Sequence, residues 1–226
     1  MKYQARVFCD FDGTISQLDV VDFLLSRLAD PSWNDIEDEW LRGEIGSREC
    51  MERQIPLIRG GWQAVESLLD EVELDPTFLD FALWCESKEI PLVIVSEGLD
   101  RVIQTLLKRE NIRVTAVWAN ELLEKSSGEL SIRFPYSPQD KDCRAGLCKC
   151  QFLPPTELLN VVIGDGRNDF CWAGKADWVF AKSKLLAYCG EFQIPHEAFY
   201  DFEKVRLSLE LVLEKKKKIL SPEIKV

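Results

Sequence analysis

Two aspartates one residue apart, Asp10 and Asp12, stand directly after the apolar run 5–9 and directly before Gly13. A short apolar run bounded by a turn signal reads as a buried strand. The carboxylates therefore fall where a strand ends and the chain turns, which is where open α/β sheets place their ligands. Gly13 permits the turn that lets both face one small volume. Two unpaired carboxylates there would be costly, and a cation between them removes the cost. Two further strand ends repeat the pattern. Gly164-Asp165-Gly166-Arg167-Asn168-Asp169 follows the apolar run 160–163, with Asp165 at the strand end and Asp169 near a helix start. Ser96-Glu97-Gly98 follows the run 91–95. A hydroxyl beside a glycine that admits close backbone approach suits a phosphate oxygen. Three such endings in one sheet signal a site for an anion together with a metal ion.

The elements that must position these residues are legible around them. Runs at 113–118 and 178–181 join those at 5–9, 91–95 and 160–163, and helical patterns at 76–87, 99–109, 169–175 and 183–190 separate them. Alternating strands and helices predict an α/β fold with a parallel sheet covered on both faces. Residues 16–74 carry no strand pattern. Val20, Val21, Leu24, Leu25 and Leu28 recur at helical spacing, and Gly43, Gly46, Gly60 and Gly61 punctuate the segment, which predicts a small helical insert after the first strand. Residues 130–134, after Ser126-Ser127-Gly128, read as half of a hairpin.

Composition narrows the function. The chain has 226 residues, 46% of them hydrophobic, enough for one sizeable core and a smaller appended domain. A formal charge of −11 argues against a nucleic-acid or anionic-membrane binder, and leaves room for a small phosphorylated metabolite held by a local field. No stretch approaches the roughly 18–20 apolar residues of a membrane span. Met1-Lys2-Tyr3-Gln4 leads straight into the first strand, leaving no room for a signal peptide. Eight cysteines without such a signal read as reduced thiols of a cytoplasmic protein.

On these motifs the chain resembles the haloacid dehalogenase-like (HAD) hydrolases. Asp10-Phe11-Asp12-Gly13-Thr14 looks like their first motif, Ser96 like their second, and the segment from Gly164 to Asp169 like their fourth. The insert resembles the helical cap of the phosphoserine phosphatase-like branch. The resemblance implies a Rossmann-like doubly wound sheet, with a catalytic core at 1–15 and 75–226 and a cap at 16–74. It implies Asp10 as the nucleophile that forms an aspartyl-phosphate, and Asp12 as the acid and then the base. Mg²⁺ would be held by Asp10, the carbonyl of Asp12 and Asp165, with Asp169 in support. Ser96, Glu97, Gly98 and a lysine would hold the phosphate. Lys149 and Lys141 both precede Asp165 at suitable distance, and Lys149, which heads a helix-like stretch, is preferred. The cysteine loop before Lys149, after residues 134–137, and the tail from Ile194 to Phe202 are similar to a subfamily acting in methionine salvage. The cap residues Gln17, Asp19, Arg48, Arg53 and Arg59 give no obvious match to the glutamate and arginine with which phosphoserine phosphatases grip their substrate.

Plainer roles compete for some of these residues. Asp169 could serve as a helix cap. Cys143, Cys148 and Cys150 have a spacing foreign to standard tetrahedral zinc sets, and the only histidine, His196, is distant in sequence; the thiols read as inert or pocket-lining, and His196 as structural. Trp33, Trp40 and Trp62 read as packing residues of the insert, with a substrate wall as the sharper alternative. Lys215 to Lys218 suit the C-terminal end of a last helix. A phosphotransferase or mutase, and a catalytically idle binding protein on the same fold, are the rival functions.

Overall fold

A computed structural model describes residues 5–138, 140, 142–153, 155 and 157–220, with side chains in the last helix described to Lys215. Seven strands, β1 (Ala5–Cys9), β2 (Leu92–Leu99), β3 (Ala116–Glu124), β4 (Leu130–Arg133), β5 (Leu159–Gly164), β6 (Trp178–Ala181) and β7 (Glu197–Ala198), form one sheet in the order β4-β3-β2-β1-β5-β6-β7. Every pairing is parallel except β3 with β4. β1 is central: Val7 lies opposite Leu92 of β2 on one side and Val161 of β5 on the other. The chain builds outward from β1 in one direction and then returns to build in the other. The ends of β1 and β5 thus flank the point where the winding reverses, where such sheets open a crevice.

The helices are α1 (Val20–Leu28), α2 (Trp33–Leu41), α3 (Ser47–Gln54), α4 (Gly61–Leu68), α5 (Phe78–Ser87), α6 (Asp100–Arg109), α7 (Phe170–Ala173), α8 (Ser183–Glu191) and α9 (Phe202–Leu220). Strand alternation decides what covers each sheet face. Ala5, Val7 and Cys9 of β1, with Leu92, Ile94, Val161 and Ile163, point into a cluster that includes Phe78, Phe81, Leu106 and Phe202. Phe8 points the other way, to Val93, Val95, Val162, Leu147 and Trp172. Both faces are buried, so these strands read as continuous apolar runs.

The first four helices occupy the 16–74 segment. Its two ends lie side by side: Ser16 bridges Leu74 in antiparallel fashion, the Gln17 amide donates to the Glu73 carbonyl at 3.1 Å, and the Asp75 amide donates to that of Ile15 at 2.7 Å. Val20, Leu24, Leu25, Ile55 and Val65 join the apolar cluster on one sheet face, while Ile36, Ile45 and Cys50 form a cluster within the insert.

Several boundaries differ from the sequence expectation for identifiable reasons. β2 does not stop at Val95. It continues through Ser96, Glu97 and Gly98 to Leu99, and its register with β3 shifts between Val95 and Leu99. The polar triplet therefore sits on an irregular strand segment. β3 begins at Ala116 and runs to Glu124 because β4 pairs with its far half, Glu121 opposite Arg133. β7, two residues long, gave no periodic signal. α7 spans only Phe170–Ala173, after a 3-10 turn over Arg167–Asp169.

Phe8→Ala removes a fully buried ring from the centre of the sheet, where it packs 6.4 Å from the Trp118 ring centre. It should cost about 3–5 kcal/mol of unfolding free energy by urea denaturation; a loss under about 1 kcal/mol would show that this face is not tightly packed.

Candidate active site

The last residue of β1 hands over directly to the site. The Asp10 amide still donates to the Ile163 carbonyl of β5 at 2.9 Å, so Asp10 is held in the sheet while the chain after it turns. The amides of Thr14, Ile15 and Ser16 all donate to the Phe11 carbonyl and close that turn. Gly13 sits at φ +69°, and a Cβ there would stand 2.8 Å from an Asp165 carboxylate oxygen. Only glycine meets both demands.

Asp10 is buried beside the ammonium of Lys149. Its Oδ1 accepts the Phe11 amide at 2.8 Å and lies 2.6 Å from Lys149 Nζ. Lys149, 1% exposed, also reaches Asp169 Oδ1 at 2.7 Å and lies 5.0 Å from the ring centre of Trp172. It opens a 3-10 turn, Lys149–Phe152, which is the short helix-like stretch that the sequence suggests. Lys141, the other lysine considered, lies outside the described residues.

Asp169 divides its carboxylate. Oδ2 accepts the amides of Asp165 and Gly166, both at 3.0 Å, while Oδ1 takes Lys149. It caps its turn and anchors the lysine at once. Asp165 Oδ1 accepts the Thr14 hydroxyl at 3.0 Å, and Lys182 Nζ donates to the Thr14 carbonyl at 3.2 Å. Thr14 and Lys182 were not among the expected site residues. The first stands inside the leading motif, while the second has no sequence signal, because only the β6–α8 junction brings it here.

Asp12 faces the cavity from the next turn. Its Oδ1 accepts the Val20 amide at the start of α1 at 3.0 Å, and its Oδ2 accepts the Ser96 hydroxyl at 3.1 Å. Ser96 Oγ in turn accepts the Gly98 amide at 2.8 Å. A Cβ on Gly98 would stand 2.5 Å from Asp12 Oδ2. Glu97 turns Oε1 toward the protein, accepting the Ser47 hydroxyl of α3 at 2.8 Å and the amides of Gly146 and Leu147 at 2.9 and 3.2 Å. Its buried Oε2 has no partner among the described residues. It joins the insert, β2 and the loop that leads to Lys149.

The electrostatics show a deficit of positive charge. Burial, then the neighbouring Asp169, push Asp10 well up against the pull of Lys149. Burial, then Asp169, also raise Asp165. Burial alone would lower Lys149, but Asp10 and Asp169 outweigh it and hold the ammonium charged. Burial, then Asp19, bring Asp12 up to about 7. Asp10, Asp165 and Asp169 each offer an oxygen within 4.8 Å of the others. Three carboxylates against one buried lysine, all hard oxygen donors, fit a divalent cation of the Mg²⁺ kind.

Asp10, Asp12, Ser96 and Asp165 floor a cavity of about 680 Å³ whose opposite wall comes from the insert. Trp40, Leu41, Met51, Leu18 and Val21 supply apolar surface there, and Asp19, Asp22 and Glu37 supply carboxylates. Arg167 and Lys184 bring cationic groups from the core side. Of the three tryptophans of the insert, Trp40 reaches the cavity; Trp62 stacks under the Arg101 guanidinium at 3.9 Å, and Trp33 packs on the core. The cysteines before and after Lys149 are not in the lining, contrary to a pocket role; Cys150 packs instead with Phe8, Val162 and Trp172 on the other face of the sheet from the insert. His196 is exposed and bonds the Ile194 carbonyl within its own loop.

Doubly wound α/β hydrolases of the phosphoserine phosphatase type share this architecture. The chain superposes on a phosphoserine phosphatase carrying a phospho-aspartyl intermediate analogue with a TM-score of 0.66, at 17% identity, over 90% of this chain and 98% of that one. A substrate-bound phosphoserine phosphatase gives 0.67, also at 17%, over 91% and 98%. At that identity the likeness is one of fold. The family model described as haloacid dehalogenase-like hydrolase matches residues 7–174, and the chain belongs to that family. A relative from Geobacillus thermodenitrificans, named 2-hydroxy-3-keto-5-methylthiopentenyl-1-phosphate phosphatase, is 32% identical over 89% of this chain and 94% of its own length. One of the same name from Bacillus cereus (strain ATCC 14579) is 29% identical over 93% and 98%. Family and relatives together make the chain a phosphatase of the HAD type.

Lys149→Ala leaves two buried carboxylates facing each other without a cation from the protein. In metal-free buffer it should lower stability by about 3–5 kcal/mol in denaturant titration, and added Mg²⁺ should restore part of the loss. An unchanged midpoint would mean that the lysine does not carry this charge balance.

Proposed function

We propose that the protein hydrolyses a small-metabolite phosphate monoester through an aspartyl-phosphate on Asp10. The observation that carries the reading is the placement of Asp10: at the end of the central strand, against Lys149, with Asp12 aimed into the same cavity. Both protein bonds to the Asp10 carboxylate fall on Oδ1, which leaves Oδ2 to attack phosphorus. As the Oδ2–phosphorus bond forms, the ester bond breaks, and the departing alcohol oxygen takes the proton of Asp12. Asp12 then takes a proton from water as that water attacks the phosphoryl group, which frees phosphate and regenerates Asp10. The Ser96 hydroxyl orients Asp12 and accepts the Gly98 amide, and on substrate entry these two donors would turn from those partners to phosphate oxygens. Mg²⁺ held by Asp10, Asp165 and the Asp12 carbonyl, with Asp169 in support, would offset repulsion between the anionic nucleophile and the anionic ester.

Residues 16–74 act in this reading as a cap over a core of 1–15 and 75–226. Closing it excludes bulk water during transfer. The substrate follows from the cap wall together with the relatives' names. A methylthio-bearing enol phosphate of the methionine-salvage type would lay its apolar end against Trp40 and Met51. Phosphoserine is disfavoured because the cap arginines are engaged elsewhere: Arg53 pairs with Glu39, Arg59 with Asp30, and Arg48 lies over the Phe134 ring. All eight cysteines are free thiols, in keeping with a cytoplasmic, reducing setting. Among the described residues no helix is long and apolar enough to cross a membrane.

Mg²⁺-dependent phosphate release from a panel of esters that includes phosphoserine and the methionine-salvage enol phosphate tests the proposal. Asp10→Asn should lose at least about 10³-fold in kcat and form no acid-stable phosphoprotein; near-normal turnover removes the covalent route. Phosphate transferred to an added alcohol rather than to water would reassign the enzyme as a phosphotransferase. Asp165→Asn should raise the Mg²⁺ needed for half-maximal rate by roughly 10-fold or more, and an unmoved titration would exclude it as a ligand. The pH profile carries a sign. Asp12, raised to about 7, holds its proton below that pH and loses it above. With leaving-group protonation limiting, kcat/KM should fall as pH rises through about 7; a profile flat to alkaline pH would deny Asp12 the acid role.

A further inference from the structure

Cys148, Cys150 and Cys171 bring their sulfur atoms within 4.8 Å of one another. Sequence proximity explains the first two, which flank Lys149 and place their sulfurs 3.3 Å apart. Cys171 arrives through the fold, from α7, and takes the position that the sequence would have given to Cys143. The three are free thiols, graded from buried Cys148 through half-buried Cys150 to exposed Cys171, so the cluster opens to solvent on one side. The ammonium of Lys175 places positive charge near Cys150 and favours its thiolate. None of the three lines the catalytic cavity.

Two sulfurs on one tetrahedral zinc ion, each about 2.3 Å from the metal, stand about 3.8 Å apart. The Cys148–Cys150 separation of 3.3 Å is a little under that value, and no sulfur of the cluster is more than 4.8 Å from another. We propose that Cys148, Cys150 and Cys171 bind one thiophilic divalent cation of the zinc class, with water in the fourth position on the solvent side. Binding transfers the thiol protons to solvent. The two metal sites do not compete: sulfur donors select a borderline-soft ion, and the carboxylates of Asp10, Asp165 and Asp169 select a hard one. The thiolate-bound ion acts as a staple. Cys148 and Cys150 adjoin Lys149, and Cys171 lies two residues beyond Asp169, so one ion ties together the two segments that carry the Lys149–Asp169 ion pair. The inference stands apart from the hydrolytic reading, since its test does not use turnover.

The test is titration of the reduced full-length chain with Cd²⁺, followed by the sulfur-to-cadmium charge-transfer band in the ultraviolet. The band should saturate at one equivalent per chain, fall on addition of excess Zn²⁺, and persist in Asp165→Asn, whose carboxylate site gives no such signal. Cys171→Ser, a change at an exposed position, and Cys150→Ser should each abolish the one-equivalent step, while Cys143→Ser should keep it. Zn²⁺ should raise the melting temperature of the parent chain and not that of Cys171→Ser. No band at one equivalent in a folded chain, a band that survives Cys171→Ser, or a band lost in Cys143→Ser would each overturn the assignment.

Discussion

A single buried ammonium sets the terms for the rest of this molecule. Lys149 is enclosed in protein, between Asp10 on the central strand and Asp169 on the turn before α7. One positive charge cannot satisfy both carboxylates together with Asp165, and burial, reinforced by the neighbouring Asp169, pushes Asp10 and Asp165 upward. The site is therefore built with an affinity for one more cation and for whatever anion that cation attracts. Buried ion pairs of this kind contribute little to stability compared with apolar packing. Their value here is positional: the sheet, the 3-10 turn and the loop from Gly146 must all be in place for the charges to meet.

The sheet makes the meeting possible. Parallel strands deliver their C-terminal ends to one edge, and the reversal of winding at β1 leaves that edge uncovered. Asp10, the Asp165 turn and Ser96 come from three neighbouring strands and converge without any long loop. The irregular stretch of β2 refines the arrangement. By breaking register with β3 between Val95 and Leu99, it aims Ser96 at Asp12 and turns Glu97 to hold the Lys149 loop and Ser47 of the insert. Asn120 of β3 steadies that bulge, donating from Nδ2 to the Glu97 carbonyl at 2.6 Å.

Much of this was legible in the sequence, because the informative residues sit at strand ends where glycine and carboxylates interrupt an apolar run. β1 was readable to the residue for that reason, β6 as an apolar run between Asp177 and Lys182, and the helical character of the 16–74 segment from its apolar spacing. Other features were not readable, each for a physical cause. The extent of β3 depends on pairing with β4, a long-range contact that leaves no local period. β7 is too short to have one. Lys182 and Cys171 reach their neighbours only through tertiary packing. The Asp12–Ser96 and Glu97–Ser47 bonds join residues whose spacing says nothing of their proximity. Between the two roles open to the thiols near Lys149, inert or pocket-lining, the sequence could not choose, because the direction of a 3-10 turn is not written in side-chain type.

The side-by-side ends of the insert bear on how the chain assembles. Pairing β1 with β2 means closing the whole stretch from Cys9 to Leu92, and the entropy of closure grows with the logarithm of loop length. Once α1 to α4 have collapsed and Ser16 has met Leu74, the effective loop loses most of its length, a saving of about 1 kcal/mol. An early-forming helical insert would thus hasten docking of the central strand. The segment that walls the cavity in the finished protein would then also serve, during folding, as the clasp that brings Asp10 to its place.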